Sequence, residues 1–464
     1  MRLLLLFGLA VCHAADVGTL YQQHCATCHG PKADNGLGGS LISGEWQFAS
    51  EDPADQARVI REGLLPQQNM QGFGDVLSEA QIRGLVVYLQ ELQAQAQQQP
   101  VQRQAVVDTE LHAYRVETMV EDDLEIPWAC ALLPDGGLLI TERPGRLRRW
   151  HPDTGLAPEP VRDLPAITAT GQGGLMEVAL HPDHKDNGWV YLSLTDERDG
   201  RLLTAVARGR IRDGAWVDHA WIARFDERFY TRAGFHFGCR LVLHDGMLFF
   251  GIGDRGQKPL ARELTHPNGK IFRLHDDGRT PVDNPFVDRQ DALPGIWSLG
   301  HRNPQGLAMD REHHILYSTE HGPRGGDELN RIQPGHDYGW PLVTHGINYN
   351  GTPITEQTTA PGVTDPLRAW VPSPAFSGLA VYDGQAFPQW RGDLLAGALK
   401  AQELRRLRVH EDGEVQEEII LSERGRIRTV RVAADGSIVL VVNEPDAVIR
   451  MMPSTRQDRQ VDTE

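Results

Sequence analysis

Ala434-Asp435-Gly436-Ser437-Ile438-Val439-Leu440-Val441-Val442 is a turn followed by a run of apolar, mostly β-branched residues. Asp-Gly supplies the backbone freedom of a tight reversal, and the run after it suits a buried strand. The arrangement recurs upstream, as Pro134-Asp135-Gly136-Gly137 before Leu138-Leu139-Ile140-Thr141 and as His244-Asp245-Gly246 before Met247-Leu248-Phe249-Phe250. Asp277-Gly278, Asp383-Gly384 and Asp412-Gly413 continue it. Turn signals at this spacing, with almost no helical periodicity between them, predict an all-β repeat architecture over residues 108–455. Six units of about 58 residues fill that span, a size compatible with propeller blades carrying inserted loops. The predicted fold is therefore a six-bladed β-propeller, with a large β-sandwich as the alternative. In a propeller, polar residues in the blade entry loops converge on one axis.

The chain of 464 residues is longer than one ordinary core, so more than one domain is expected. A formal charge of −17 argues against nucleic acid or an anionic membrane surface as partner. Residues 1–14 read as a signal peptide: Arg2, then the apolar run Leu3 to Val11, then Cys12-His13-Ala14 as the cleavage site. Leu9-Ala10-Val11-Cys12 is also similar to a lipoprotein signal, so a membrane association is expected only if Cys12 is acylated. No other stretch approaches the length of a membrane span. Cys130 and Cys239 are isolated and are read as free, partly buried thiols.

Residues 16–92 have their own logic. Cys25-Ala26-Thr27-Cys28-His29 is the Cys-x-x-Cys-His signature of covalent haem c attachment, with His29 as the iron ligand. A zinc half-site would need a second ligand pair, which this segment lacks. Met70, in a polar loop flanked by Gly72 and Gly74, is the candidate sixth ligand to the haem iron. Ser78-Glu79-Ala80-Gln81 forms a capping box, and Ile82, Leu85, Val86 and Leu89 place one apolar face on the helix that follows. Loop Met and closing helix together resemble a class I cytochrome c domain, a small all-α unit. His13 and His24 have no such support. Residues 93–107 are Gln-rich and read as a linker, and residues 456–464 as a disordered tail.

Several polar clusters break the β pattern of 108–455. They are Gly171-Gln172-Gly173-Gly174; Phe235-His236-Phe237-Gly238 with Gly251-Ile252-Gly253-Asp254; Gly300-His301-Arg302-Asn303-Pro304-Gln305-Gly306; and Glu320-His321-Gly322-Pro323 with Gly325-Gly326-Asp327-Glu328. Lys400, Arg426 and Arg428 complete the set, the last two on one strand face by alternation. Four cations, Arg302, Lys400, Arg426 and Arg428, would repel one another at one axis unless a polyanion lay between them. His236 with Asp254 suits a general base and its orienting acid. Carbonyls near Gly322 suit a hard cation. Taken singly, His236 also fits a satisfied core histidine, and Arg426 and Arg428 a solvated strand face.

These motifs, with Tyr338-Gly339-Trp340-Pro341, Gly346-Ile347-Asn348-Tyr349, Ala398-Leu399-Lys400 and Arg424-Gly425-Arg426-Ile427-Arg428, resemble the soluble PQQ-dependent glucose/sorbosone dehydrogenase family. They look most like its aldose sugar dehydrogenase branch and span nearly all of residues 115–455 in the family's order. The resemblance implies a periplasmic quinohaemoprotein that oxidises an aldose at C1 to its lactone by hydride transfer to PQQ, then passes electrons to haem c. It implies His236 as catalytic base with Asp254 behind it, and Arg302 stabilising the oxyanion that develops on the quinone. Gln172, Arg302, Asn303, Gln305, Lys400, Arg426 and Arg428 would contact PQQ, and the carbonyls of Gly322 and Pro323 would ligate Ca2+. A downstream electron acceptor, whether a cytochrome, the quinone pool or an oxidase, is implied as partner. Cys239 departs from the family pattern, which has a small residue there. Two alternatives stay open: oxidation of a non-sugar alcohol or aldehyde, as for sorbosone, and a cofactor-free binding propeller joined to an electron carrier.

Overall fold

A computed structural model of the chain describes residues 16–34, 38–43, 49–50, 52–64, 70–97 and 106–454. Residues 1–14, read as a signal peptide with Cys12, and the tail 456–464 lie outside the described residues. No helix among those described is long and apolar enough to cross a membrane.

The chain divides into two compact units, each built around its own core. In the first, helix Val17–His24 starts at Asp16, whose carboxylate accepts from the Gly18 and Thr19 amides. Cys25-Ala26-Thr27-Cys28-His29 follows directly, with Ala26–His29 forming a single helical turn. Helices Pro53–Glu62 and Glu79–Ala96 complete the bundle, the latter opened by the reciprocal Ser78–Gln81 capping box that the sequence shows. Ile82, Leu85, Val86 and Leu89 are all buried, as the periodicity requires. Two expectations are corrected. The last helix runs on through Ala96, into the stretch read as linker, because Gln and Ala are good helix formers and Gln93 is buried there. The unit also contains Pro323–Gly325 and His345–Gln357, which the sequence assigns to the propeller span. They belong here through specific bonds: Glu356 accepts from Ser78 Oγ (3.1 Å) and the Ala80 amide (2.8 Å). Arg83 donates to the Thr355 carbonyl, Arg324 pairs with Glu91, and Ile347 packs against Gly84.

The second unit is the predicted propeller. Five four-stranded antiparallel sheets cover residues 127–156, 175–223, 241–299, 304–370 and 376–422, here blades 1 to 5. Blade 6 combines Arg426–Val432, Ile438–Asn443 and Ala447–Pro453 with Ala113–Val120 and Val106–Asp108 from the start of the unit. Tyr114 lies opposite Pro453 and Val120 opposite Val448, so main-chain hydrogen bonds close the ring.

A separate apolar cluster fills each junction. Trp128, Leu175, Met176 and Phe237 lie between blades 1 and 2, and Tyr191, Phe250 and Phe272 between blades 2 and 3. Phe249, Leu307 and Leu316 join 3 to 4, and Leu329, Trp370 and Leu379 join 4 to 5. Trp390, Leu404, Ile427 and Leu440 join 5 to 6, and Cys130, Ile140, Val439 and Val441 join 6 back to 1. Each such fully buried side chain contributes about 1.5–3 kcal/mol.

One guanidinium pins the centre. Arg240, 2% exposed, donates to Glu177 (2.9 Å) of blade 2, the Gln305 carbonyl (2.8 Å) of blade 4 and Ser377 (3.1 Å) of blade 5. It also donates to Thr429 (2.7 Å) and the Arg428 carbonyl of blade 6, and lies 4.1 Å from the Trp128 ring centre of blade 1.

Candidate active site

In each blade the first and second strands are antiparallel, so the entry to the first and the exit from the second lie at one end. The singled-out residues of this unit fall there. Gln172 and His236 precede the first strands of blades 2 and 3, and Arg302 and Asn303 precede that of blade 4. Asp254, His321, Gly322 and Lys400 follow second strands, Glu320 ends one, and Arg426 opens the first strand of blade 6. Distance in sequence is thus cancelled by ring closure.

His236 Nδ1 donates to Asp254 Oδ1 at 2.6 Å. The same oxygen accepts from the Gly256 amide (2.7 Å), and Oδ2 accepts from Trp340 Nε1 (2.8 Å). Burial alone would raise the Asp254 pKa, but the donors His236, Gly256 and Trp340 outweigh it and hold the carboxyl below its usual range. Burial also holds His236 below its usual value; Asp254 opposes that shift, and the charges of Arg302 and Arg255 add to it. The imidazole is therefore neutral at neutral pH, with Nδ1 protonated and Nε2 carrying the lone pair of a general base.

The loop bearing His236 is held in an unusual conformation. His236 has φ 57°, its amide donates to Gln172 Oε1 (2.9 Å), and Arg255 donates to the carbonyls of Ala233 and Phe235. Left-handed backbone at a non-glycine residue is costly and persists where surroundings fix it. Gly171 brings Gln172 into reach: a Cβ there would lie 2.1 Å from the Gly234 carbonyl.

Arg302 carries its guanidinium into the same region. Its amide donates to Glu320 Oε2 (2.7 Å), and Nη1 donates to the carbonyls of His321 (2.9 Å) and Gly322 (2.6 Å). Its guanidinium carbon lies 5.5 Å from the Trp340 ring centre. Behind it, His301 is wedged between Ser298 (2.8 Å) and Glu320 (3.0 Å) and stacked on Tyr338. Asn303 and Gln305 point at Gly238: Asn303 Oδ1 accepts from its amide (3.2 Å), and Gln305 Nε2 donates to its carbonyl (2.6 Å). Both amides thereby brace the loop that carries His236.

Arg426 and Arg428 need a correction. A bulge at Arg428 interrupts the ladder between Ile427 and Thr429, so simple alternation does not place the two side chains. Electrostatics does couple them: burial and the like charges of Arg240, Arg426 and Arg143 push the Arg428 guanidinium down to about 9. Lys400 is exposed, its amide bonded to the Pro374 carbonyl. His321 is also enclosed; burial and then Arg302 push it down to about 3, and Nε2 has no hydrogen-bond partner.

A crowded guanidinium short of negative charge is what a polyanionic ligand would satisfy, so the residues present fit PQQ. Cys239 does not intrude. It packs in the cluster between blades 1 and 2, and burial pushes its thiol up to about 12. Cys130 lies in a different cluster, and both are free.

Arg143, Arg255, Lys258 and Trp340 join the site without having been assigned a role from sequence. Arg143 Nη1 donates to the Gly171 carbonyl (2.6 Å), and Lys258 Nζ lies 5.6 Å from the Trp340 ring centre. Arg143 and Arg255 follow the second strands of blades 1 and 3, the position that marks the other site residues and the signal that finds them.

In the first unit, Cys28 is exposed and Cys25 half-buried, its thiol pushed up to about 11 by burial and then by Cys28. His29 Nδ1 donates to the Gly39 carbonyl (3.1 Å), which leaves Nε2 as the metal-binding nitrogen. A Cβ on Gly38 would lie 2.7 Å from the imidazole. That donor set fits a covalent haem. Met70 adjoins the bridge between Gly63 and Gln71, and its carbonyl accepts from the Leu64 amide (2.7 Å).

Comparison with known proteins agrees with both units. Residues 124–451 match the family model for glucose/sorbosone dehydrogenase, and residues 13–89 that for cytochrome c oxidase, cbb3-type, subunit III. The chain belongs to the glucose/sorbosone dehydrogenase family. Among this family's proteins, it is 42% identical to the aldose sugar dehydrogenase YliI of Escherichia coli over 332 residues, 70% of this chain and 89% of that one. The solved apo-form of the soluble E. coli aldose sugar dehydrogenase superposes with TM-score 0.70 at 40% identity, covering 74% of this chain and 100% of the other. The PQQ-bound aldose sugar dehydrogenase of Streptomyces coelicolor superposes with TM-score 0.61 at 25% identity, covering 74% and 98%.

Proposed function

We propose that this family member is an exported, periplasmic quinohaemoprotein that oxidises aldose sugars at C1 to lactones and delivers the electrons to its own haem c. The observation that carries this reading is the neutral, carboxylate-backed His236 under the charge of Arg302, with the Arg428 guanidinium crowded by Arg240, Arg426 and Arg143, in a chain that also bears Cys25, Cys28 and His29. PQQ, polarised by Ca2+ on the carbonyls of Gly322 and Pro323, would supply the two-electron acceptor, and haem the one-electron relay. His236 Nε2 accepts the proton of the C1 hydroxyl as C1 gives up its hydride. Asp254 holds the imidazole in the required tautomer and stabilises the charge it gains. Gln172, Arg302, Asn303, Gln305, Lys400, Arg426 and Arg428 would hold the cofactor, and Asn303 and Gln305 also brace the His236 loop through Gly238. Cys25 and Cys28 would carry the haem, and His29 and Met70 would supply ligands to its iron.

The family likeness and the PQQ-bound relative support this assignment. The test is dye reduction by protein reconstituted with PQQ and Ca2+, over a panel of aldoses, ketoses, alcohols and aldehydes. Turnover with aldoses alone supports the reading, and turnover confined to alcohols or aldehydes replaces the substrate. No uptake of PQQ leaves the propeller as a binding module.

A further inference from the structure

The proposed active site uses one end of the blades. At the other end, the turns joining first to second strands carry a different cluster. His244 ends the first strand of blade 3, Leu241–His244, and Asp245 lies in the turn to Met247–Ile252; His314 lies in the equivalent turn of blade 4, between Pro304–Asp310 and Ile315–Glu320. His244 Nε2 lies 3.0 Å from His314 Nδ1 and 3.2 Å from Asp245 Oδ2, and His314 Nδ1 lies 3.9 Å from that same oxygen. Among the described residues this is the one group of three His, Cys, Asp or Glu side chains whose ligand atoms all come within 4.8 Å of one another.

We infer that His244, Asp245 and His314 form a binding site for a divalent transition ion of the zinc class, bridging blades 3 and 4. A tetrahedral zinc about 2.0–2.1 Å from each donor sets neighbouring donors about 3.3 Å apart. The three observed separations bracket that edge and average close to it. Two imidazoles and one carboxylate suit zinc, nickel or copper, and two nitrogens in three donors disfavour calcium and magnesium. A water would complete the coordination.

Asp245 (φ 49°) and His314 (φ 55°) both sit in left-handed backbone in their turns. Arg311 braces the two turns by donating to the Leu243 carbonyl at 3.1 Å. The His244 side chain is 11% exposed; burial, followed by Arg311 and His314 against the opposing pull of Asp245, keeps it neutral, the form that ligates metal. The outer side chains, Asp245 at 72% and His314 at 68% exposed, leave an open path for an ion from solvent. Because the two turns belong to neighbouring blades, an ion there ties one blade to the next and stabilises the folded state by mass action.

The test is calorimetric titration of zinc into the full, haem-loaded chain, stripped with chelator and held in excess calcium so that oxygen-ligand sites are filled. The wild type takes up one zinc equivalent whose affinity falls at least tenfold in His314→Ala and in Asp245→Asn. Zinc also raises the thermal unfolding midpoint of the wild type and not of either variant. Absence of zinc uptake, or equal affinity in the variants, overturns the site. Neither readout uses turnover, so the result stands apart from the sugar oxidation proposed above.

Discussion

Asp254→Asn tests the mechanism with the smallest change of shape. The carboxylate accepts three hydrogen bonds: His236 Nδ1 and the Gly256 amide on Oδ1, and Trp340 Nε1 on Oδ2. An asparagine offers one acceptor oxygen and one donor NH2. With the NH2 toward Trp340, two donors face each other at about the 2.8 Å now spanned by a bond. With the NH2 toward His236, Nδ1 must become the acceptor, Nε2 takes the proton, and the base is lost. Either orientation removes the charge that stabilises a protonated His236. A general base contributes roughly 10²–10⁴-fold to rate, about 2.7–5.4 kcal/mol of barrier. In the PQQ- and Ca2+-reconstituted protein, kcat for dye reduction at saturating aldose should therefore fall at least 100-fold. PQQ uptake, followed by absorbance, should stay near the wild-type value, because Asp254 is engaged with His236, Gly256 and Trp340 rather than with the cation cluster. A folded variant that takes up PQQ and turns over within tenfold of wild type refutes the assigned roles of His236 and Asp254.

Three further outcomes follow from named contacts. Since burial lowers the His236 pKa, kcat/KM should hold through neutral pH and fall only as the pH drops below about 6.5; an acid limb centred above 7 would contradict a depressed His236. Arg240→Met strips the central pin and leaves buried Glu177 with Arg431 as its remaining ion-pair partner, a loss of about 3–5 kcal/mol. For a propeller of this size that is about 4–7 °C in unfolding midpoint, and a shift under about 1 °C contradicts the pin. The double substitution Cys25→Ser, Cys28→Ser should abolish the haem stain that survives denaturing electrophoresis while leaving dye reduction by the propeller intact; loss of both readouts would argue against the division of labour.

What was legible in the sequence was local. Asp245-Gly246 and Asp435-Gly436 mark their hairpins because a turn is settled by the residues in it, and the alternation of such turns with strands was enough for the propeller. Cys25, Cys28 and His29, and the capping box at Ser78, were legible for the same reason. The strand Ala113–Val120 that completes blade 6 was not, because its partner Ala447–Pro453 lies at the far end of the chain. The grouping of His345–Gln357 with the helical unit was hidden too, since it rests on contacts distant in sequence, such as Glu356 capping a helix far upstream and Arg83 donating to the Thr355 carbonyl. At the site, His236, Asp254 and Arg302 were found as polar residues in glycine-rich loops. Trp340 and Arg255 were given no role, because only ring closure sets one on Asp254 and the other beneath the His236 loop. The bulge at Arg428 shows the same limit: alternation fails where a strand bends to aim a side chain.

The central claim is that one chain oxidises sugar at the propeller and passes the electrons to its own haem. The most direct measurement is the absorption spectrum of the oxidised, full-length protein reconstituted with PQQ and Ca2+, recorded after adding an aldose under anaerobic conditions without any dye. The reduced haem c bands should appear only when PQQ, Ca2+ and sugar are all present, and should grow in at least 100-fold more slowly in Asp254→Asn. Haem reduction without PQQ, or a haem that stays oxidised while the same sample reduces an added dye, would contradict the claim.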